Sequence, residues 1–309
     1  MNQSPAATQP ATPSVLSRIF HNDREIRSGW RLLIFVALSY VLILAANFLL
    51  RFVYSGEHAF LDPVQLLTSD LVGLVPVLLA IFIMARIERR SLTAYGIPAL
   101  RKAFGGQFWM GNLYGFAAVS LLVGMIAIGG GYKILGLAIT GTMLIKYFAI
   151  WVIASTMIGF AEEIIFRSYV LTTLGDGIGF WPASIVLSFG FGALHYFSKP
   201  HERWEDFACT GLLGLFMCLT LRRTGTLEFA IGFHLAFDFG AIFFYSGMNA
   251  GEFAVGHLLK TSWEGPQWLT GGLLGPEASR LVFIVIALLF LVFDRSYRQV
   301  KFSGLRQAT

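Results

Sequence analysis

The stretch LLIFVALSYVLILAANFLL, residues 32–50, decides the class of fold. It has no charged residue and lies between Arg31 and Arg51. A helix needs about 20 mostly apolar residues to cross the hydrocarbon core of a bilayer. The stretch therefore predicts a membrane-spanning helix.

Seven further apolar runs follow it. They cover roughly residues 69–85, 107–130, 146–173, 181–197, 207–221, 227–246 and 279–293. The second, sixth and eighth of the eight runs are short, so we expect tilt or local bilayer thinning there. The sequence predicts an all-α polytopic membrane protein with about eight transmembrane helices, in a membrane domain over residues 31–294.

The composition agrees with this class. Of the 309 residues, 56% are hydrophobic and 13% are charged, whereas about a quarter of a soluble domain is charged. The net charge is +5, but the basic residues lie in the loops between apolar runs and not on one exposed face. The sequence therefore predicts the lipid bilayer as a partner and predicts no nucleic-acid partner.

Basic residues also indicate the orientation, because cytoplasmic loops carry an excess of Lys and Arg. With eight spans, the loops on the side of the two chain ends hold fifteen Lys and Arg residues and the opposite loops hold six. This predicts an integral protein of a bacterial plasma membrane with both termini in the cytoplasm. Residues 1–30 form a disordered cytoplasmic tail with a juxtamembrane segment, and residues 295–309 form a basic cytoplasmic tail.

Six ionisable residues are predicted to lie near mid-bilayer, where each costs roughly 2.5 to 3.5 kcal/mol on insertion scales and is by default functional or paired. At about 1.5 Å per residue, three helices place these groups at similar depth. A polar network that only holds the helices together is the simpler alternative. The six residues are Glu162, Glu163, Arg167, His195, His234 and Asp238.

Helical spacing suggests how these residues pair. Glu163 and Arg167 are four apart and share a face, as an ion pair requires. Glu162 is rotated by about 100° from that pair and is free to face a water-filled cavity as a base. His234 and Asp238 are also four apart, so Asp238 is predicted to fix the imidazole tautomer. Phe191 lies one turn before His195 and serves either ordinary packing or the shape of the substrate site.

Three motifs hold these residues, namely AEEIIFR at 161–167, FGALH at 191–195 and HLAFD at 234–238. The order EExxxR, FxxxH and HxxxN/D on three membrane helices resembles the CPBP family of intramembrane proteases, also called the CAAX-protease, bacteriocin-processing or Abi family. The resemblance is firm over about residues 143–246, and the chain beyond 250 adds little to it.

The resemblance implies an eight-span helical fold with a polar cavity that faces the cytoplasmic side and the bilayer. It implies hydrolysis of peptide bonds in membrane-associated proteins or peptides. Glu162 would activate the attacking water with His195 beside it, and His234 with Asp238 would stabilise the oxyanion or orient the site. Eukaryotic relatives have Asn at the last position. Since an ionised Asp only accepts hydrogen bonds, we expect Asp238 to orient His234.

Metal dependence is left open by the residues. Members of the family are often called metalloproteases, and Glu162, His195 and His234 would suit Zn²⁺. The HExxH arrangement of zinc proteases is absent, and a carboxylate in an apolar cavity is able to act as a base unaided. We therefore prefer a mechanism that requires no cofactor, with Zn²⁺ as the alternative.

Two other functions remain open at this stage. The same Glu and His residues would suit a proton relay in a proton-coupled transporter. A non-catalytic membrane partner, such as an immunity or chaperone-like protein, would also retain the fold. The ordered motifs favour the intramembrane endopeptidase over both.

Overall fold

The computed structural model describes residues 21–22, 25–52, 59, 61–198, 200–201 and 203–304. Parts of the two predicted tails, at residues 1–20, 23–24 and 305–309, lie outside the described residues. The helices are α1 (Ser28–Leu50), α2 (Pro63–Ile87), α3 (Gly106–Ile128), α4 (Gly141–Arg167), α5 (Tyr169–Ile178), α6 (Phe180–Ser198), α7 (Trp204–Thr224), α8 (Glu228–Asp238), α9 (Gln267–Thr270) and α10 (Val282–Ser296).

The predicted all-α polytopic class is confirmed. Six segments of the described chain are long and apolar enough to cross a membrane, namely α1, α2, α3, the pair α4 and α5, α6, and α7. Helices α8 and α10 have 11 and 15 residues and are shorter than these segments. The predicted number of eight spans therefore stays a prediction.

The fourth and seventh predicted spans are not continuous α-helices. Helix α4 ends at Arg167, because Ser168 leaves the helical conformation with φ −91° and ψ −105°, and α5 continues the path. Helix α8 runs on as a π-helix over Phe239–Phe244. The apolar runs extend through both sites and predict neither change.

Four short strands accompany the helices. Strands β1 (His21–Asn22) and β2 (Glu25–Ile26) pair antiparallel, as do β3 (Tyr132–Leu137) and β4 (Leu259–Trp263). The β3–β4 register runs from Tyr132 opposite Trp263 to Leu137 opposite Leu259. This two-stranded sheet joins the connection after α3 to the chain beyond residue 250.

Two faces of the helix bundle are defined by these connections. The terminal face is where α1 begins and α10 ends, and there the backbone N–H of Lys301 donates to the carbonyl of Arg222. The opposite face carries the antiparallel pair β3 and β4, and we name it the hairpin face after that pair. There the N–H of Val255 donates to the carbonyl of Leu61. Each connection between the long helices lies at one face or the other.

The buried core has two parts. One surrounds Trp151, Phe216 and Phe243, and the other contains Ile81 and Tyr169. Helices α4 and α8 contribute to both parts. The polar residues of α4 and α8 are therefore held by packing on either side.

Helices α3 and α8 approach so closely that their contact requires glycine. A Cβ atom at Gly111 would overlap the backbone of Phe229, and one at Gly232 would overlap the backbone of Phe108. Small residues allow such contacts between membrane helices. The contact fixes the position of α8, which carries His234.

Candidate active site

The structure brings the predicted polar residues together around one cavity of about 170 Å³. This volume corresponds to about six water molecules at roughly 30 Å³ each. Helices α4, α6 and α8 supply the motif residues, as the order of the motifs suggested. The predicted site residues in its lining are Glu162, Glu163, Arg167, Phe191, His195, His234 and Asp238.

Glu163 is the buried centre of the ion-pair network. Its side chain is fully buried, and Oε1 accepts from Arg167 Nη1 at 2.9 Å and from His234 Nδ1 at 2.9 Å. One carboxylate oxygen therefore joins the cation on its own helix to the imidazole of α8. The intrahelical pair of Glu163 and Arg167 has the geometry that its spacing suggested, and the contact with His234 is additional.

Asp238 lies on the other side of the same imidazole. Its Oδ2 is 3.5 Å from His234 Nε2, the nitrogen that faces the cavity. The expected orienting role of Asp238 stays a prediction, and Glu163 adds a second contact that holds Nδ1 of the same ring. Helical spacing placed Asp238 beside His234, but it did not show that a carboxylate from α4 reaches the other nitrogen.

Glu162 differs from its neighbour in exposure. Its side chain is 25% exposed, whereas that of Glu163 is 0% exposed. Oε1 lies 3.9 Å from His195 Nε2, and Oε2 lies 3.5 Å from His234 Nε2. Among the described residues, Oε2 has no hydrogen-bond partner. The two imidazoles thus flank one accessible carboxylate.

His195 is fixed from its own helix. Its Nδ1 lies 3.0 Å from the carbonyl oxygen of Phe191. A carbonyl only accepts hydrogen bonds, so Nδ1 carries the proton and Nε2 is directed at Glu162. Both histidines therefore present Nε2 to the same carboxylate.

Phe191 and a glycine shape the surroundings of Arg167. The guanidinium carbon lies 4.2 Å from the centre of the Phe191 ring, and the His195 ring lies 4.5 Å from it. A Cβ at Gly214 would come within 2.8 Å of Arg167 Nη2. The open position at Gly214 leaves space for the guanidinium, and Phe191 packs between that group and His195.

Close approach of α4 and α8 brings His234 to Glu163. A Cβ at Gly159, one turn before Glu163, would lie 2.9 Å from the carbonyl oxygen of Ile231 and 3.6 Å from the Cβ of His234. A larger residue at 159 would separate the helices and lengthen the Glu163–His234 hydrogen bond.

Besides Thr210 of α7, the motifs did not predict three polar lining residues. Asp70 comes from α2, and Asn249 and Glu277 come from the chain around β4. Asp70 Oδ2 has no hydrogen-bond partner in the described part of the chain. An Asp inside a predicted span was the available signal for Asp70, but no sequence pattern marked the other two. The chain beyond 250, which added little to the resemblance, helps to form the cavity.

The location of the cavity also differs from one expectation. Leu61, Asn249 and Glu277 belong to connections at the hairpin face, so the cavity lies toward that face. Helix α1 begins and α10 ends at the opposite, terminal face. A cavity that faces the cytoplasm and a cytoplasmic start of α1 are therefore incompatible predictions, since the two lie at opposite faces.

The donor arrangement does not fit a resident metal ion. Within the described ranges, no three His, Cys, Asp or Glu side chains are grouped so that they could hold one. Glu163 occupies Nδ1 of His234, and the Nε2 atoms of the two histidines both face Glu162. We therefore derive no chemical step through a metal.

Residues 144–240 match the family model described as type II CAAX prenyl endopeptidase Rce1-like. This match is consistent with the predicted CPBP or CAAX-protease family. The matched segment includes all three motifs. The family is a protease family, which supports an intramembrane protease function. A comparison with curated proteins finds no match.

Proposed function

We propose that the protein is an intramembrane endopeptidase that hydrolyses peptide bonds of membrane-associated proteins or peptides, with Glu162 as the base that activates water. One observation carries the proposal. The partly exposed carboxylate of Glu162 lies between the Nε2 atoms of His195 and His234, which come from two other helices. A general base must reach the attacking water and have a free oxygen to take its proton.

The attacking water is bound between Glu162 and His195. Their 3.9 Å separation is longer than a hydrogen bond, and a separation above 3.5 Å suits a bridging water. The water oxygen attacks the carbonyl carbon of the scissile peptide bond. Glu162 takes one proton of the water as the new C–O bond forms.

The tetrahedral oxyanion is stabilised on the other side of Glu162. His234 is held at Nδ1 by Glu163, so its ring is oriented before substrate binds. With Nε2 protonated, His234 donates a hydrogen bond to the oxyanion, and Asp238 beside Nε2 stabilises the imidazolium. Preorganised donors of this kind lower the barrier because they need no reorganisation.

Collapse of the intermediate breaks the C–N bond. Protonated Glu162 gives its proton to the leaving nitrogen, so the products are a new carboxyl terminus and a new amino terminus. Water and peptide are the only reactants consumed. This proposed mechanism requires no metal or organic cofactor.

A cleavage assay tests the proposal. Purified protein in lipid is incubated with a membrane-protein extract, and new termini are identified by mass spectrometry. We expect new termini with wild type and with Glu264→Gln, whose exposed side chain on the hairpin face lies outside the cavity, but not with Glu162→Gln. The same cleavages from Glu162→Gln would refute the mechanism.

A flux assay on the same preparations separates the protease from a proton-coupled transporter. Proteoliposomes with a pH-sensitive dye inside should show no proton flux that depends on Glu162. Flux lost in Glu162→Gln, without cleavage by wild type, would support the transporter instead.

A further inference from the structure

The distances from the site residues to the two faces can be compared along each helix. At about 1.5 Å per residue, Asp70 lies about 10 Å from the start of α2 at the hairpin face and about 25 Å from its end at the terminal face. By the same rise, His195 lies about 5 Å from the end of α6 at the hairpin face and about 22 Å from its start. By the same rise, Glu162 lies about 31 Å from the start of α4 at the hairpin face, and His234 lies about 9 Å from the start of α8 at the terminal face. Helix length alone therefore does not place the site.

The residues that line the cavity place it toward the hairpin face. Connections at the hairpin face contribute Leu61, Asn249 and Glu277 to the cavity wall. Among the described residues, those that connect helices at the terminal face contribute nothing to it. Water and a peptide would reach Glu162 from the hairpin face.

Charge assigns a membrane side to each face. The loops predicted on the side of the two chain ends hold fifteen Lys and Arg residues, and the opposite loops hold six. Basic residues are retained on the cytoplasmic side during insertion. The terminal face is accordingly the cytoplasmic one, and the hairpin face is directed away from the cytoplasm.

We propose that the substrates are membrane-anchored polypeptides whose scissile segment lies on the non-cytoplasmic side, at the membrane interface. The inference rests on the proposed protease function. It identifies the substrate class as exported proteins or peptides and excludes segments presented from the cytoplasm. A cavity of about 170 Å³ is too small for a folded domain.

Cysteine labelling tests the location without requiring catalysis. Both native cysteines are buried, and a Cys209→Ala, Cys218→Ala background carries one new cysteine at a time. Leu66→Cys reports the cavity wall, Glu264→Cys reports the exposed hairpin face, and Leu100→Cys, at a position 96% exposed, reports the terminal face. A charged, membrane-impermeant maleimide is added to right-side-out and inside-out membrane vesicles.

We expect the cysteines at 66 and 264 to react in right-side-out vesicles and the cysteine at 100 to react in inside-out vesicles. The reverse pattern would overturn the inference, because the hairpin face would then be cytoplasmic. Reaction of the cysteine at 264 without reaction at 66 in right-side-out vesicles would also overturn it, because the cavity would not be open to that side.

Mapped cleavage sites provide the second test. Termini present in cells with wild type and absent with Glu162→Gln should map to non-cytoplasmic segments near a membrane anchor. Sites in cytoplasmic segments would overturn the substrate class and leave the protease function intact. Absence of any Glu162-dependent site would instead refute the protease function, whereas the labelling result would still stand.

Discussion

Two buried clusters of charged residues differ in how completely the oxygens of their Glu side chains are paired. The terminal-face cluster consists of Arg31, Glu88, Tyr95, Tyr169 and Asp176. Arg31 donates to Glu88 Oε2 at 2.9 Å and to Asp176 Oδ2 at 2.7 Å, Tyr95 donates to Glu88 Oε2 at 3.0 Å, and Tyr169 donates to Glu88 Oε1. Both oxygens of Glu88 are therefore satisfied.

The cavity also contains buried carboxylates, but several of their oxygens are unpaired in the described chain. Glu162 Oε2, Glu163 Oε2 and Asp70 Oδ2 have no hydrogen-bond partner among the described residues. Unsatisfied buried polar atoms are rare and costly, and each one calls for an explanation. A paired network stabilises the fold. In the cavity these carboxylate oxygens lack a partner within the described ranges, and the partly exposed side chain of Glu162 is accessible to water and substrate.

The hydroxyl of Tyr95, in the terminal-face cluster, is kept protonated by its surroundings. Burial, and then the neighbouring Glu88, raise the pKa of Tyr95, so its hydroxyl stays protonated at neutral pH. It therefore remains a donor to Glu88. This cluster joins α1 to the end of α2 and to α5, directly after the break at Ser168.

The largest expected effect is a loss of activity from a change in the cavity, in contrast to a loss of stability from a change in the terminal-face cluster. Glu162→Gln should lower kcat by about 10² to 10⁴-fold, the range of a lost general base, with an unchanged unfolding midpoint. Glu88→Gln should lower the free energy of unfolding by about 3 kcal/mol, because Arg31 loses a buried partner. Cleavage rates and thermal unfolding in detergent are measured on both variants. Equal loss of stability in the two would remove the distinction.

Glu163→Gln should lower both stability and activity, because Glu163 pairs with Arg167 and positions His234. Loss of the carboxylate leaves a buried guanidinium poorly paired, at a cost of about 3 kcal/mol, and the orientation of His234 is lost with it. The check is thermal unfolding together with kcat. A variant with full stability and full activity would contradict the network.

Asp238 should have a smaller effect. Asp238→Asn keeps the shape but removes the charge beside His234 Nε2, and a loss of one hydrogen-bond contribution, about 1.4 kcal/mol, corresponds to roughly tenfold in rate. Asp238→Ala should lose more. An Asn variant as active as wild type would indicate that donation, from Asn or protonated Asp, is the required role. A pH–rate profile of both proteins distinguishes these cases.

The smallest effect is expected from chelation. We predict less than one zinc per chain in active protein and less than a twofold loss of rate with a chelator, since the proposed base acts without a metal. Elemental analysis and cleavage assays measure the two quantities. Stoichiometric zinc that is lost and restored together with activity would instead make His195, His234 and Glu162 its ligands.

The sequence by itself determined the membrane class, the family and the residues of the three motifs. These follow from local properties. Apolar length predicts a span, and the spacing of four residues places Glu163 with Arg167 and His234 with Asp238 on shared helix faces. Loop charges gave an orientation because insertion responds to the basic residues near each span.

Only the tertiary structure decided that Glu163 holds His234, that Asp70 joins the cavity, and that the cavity lies toward the hairpin face. Helical periodicity fixes which residues share a face of one helix, but not the rotation or depth of one helix against another. Those depend on contacts such as Gly159 against Ile231 and Gly111 against Phe229. Their partners are distant in sequence, so a hydrogen bond between α4 and α8 is determined by packing.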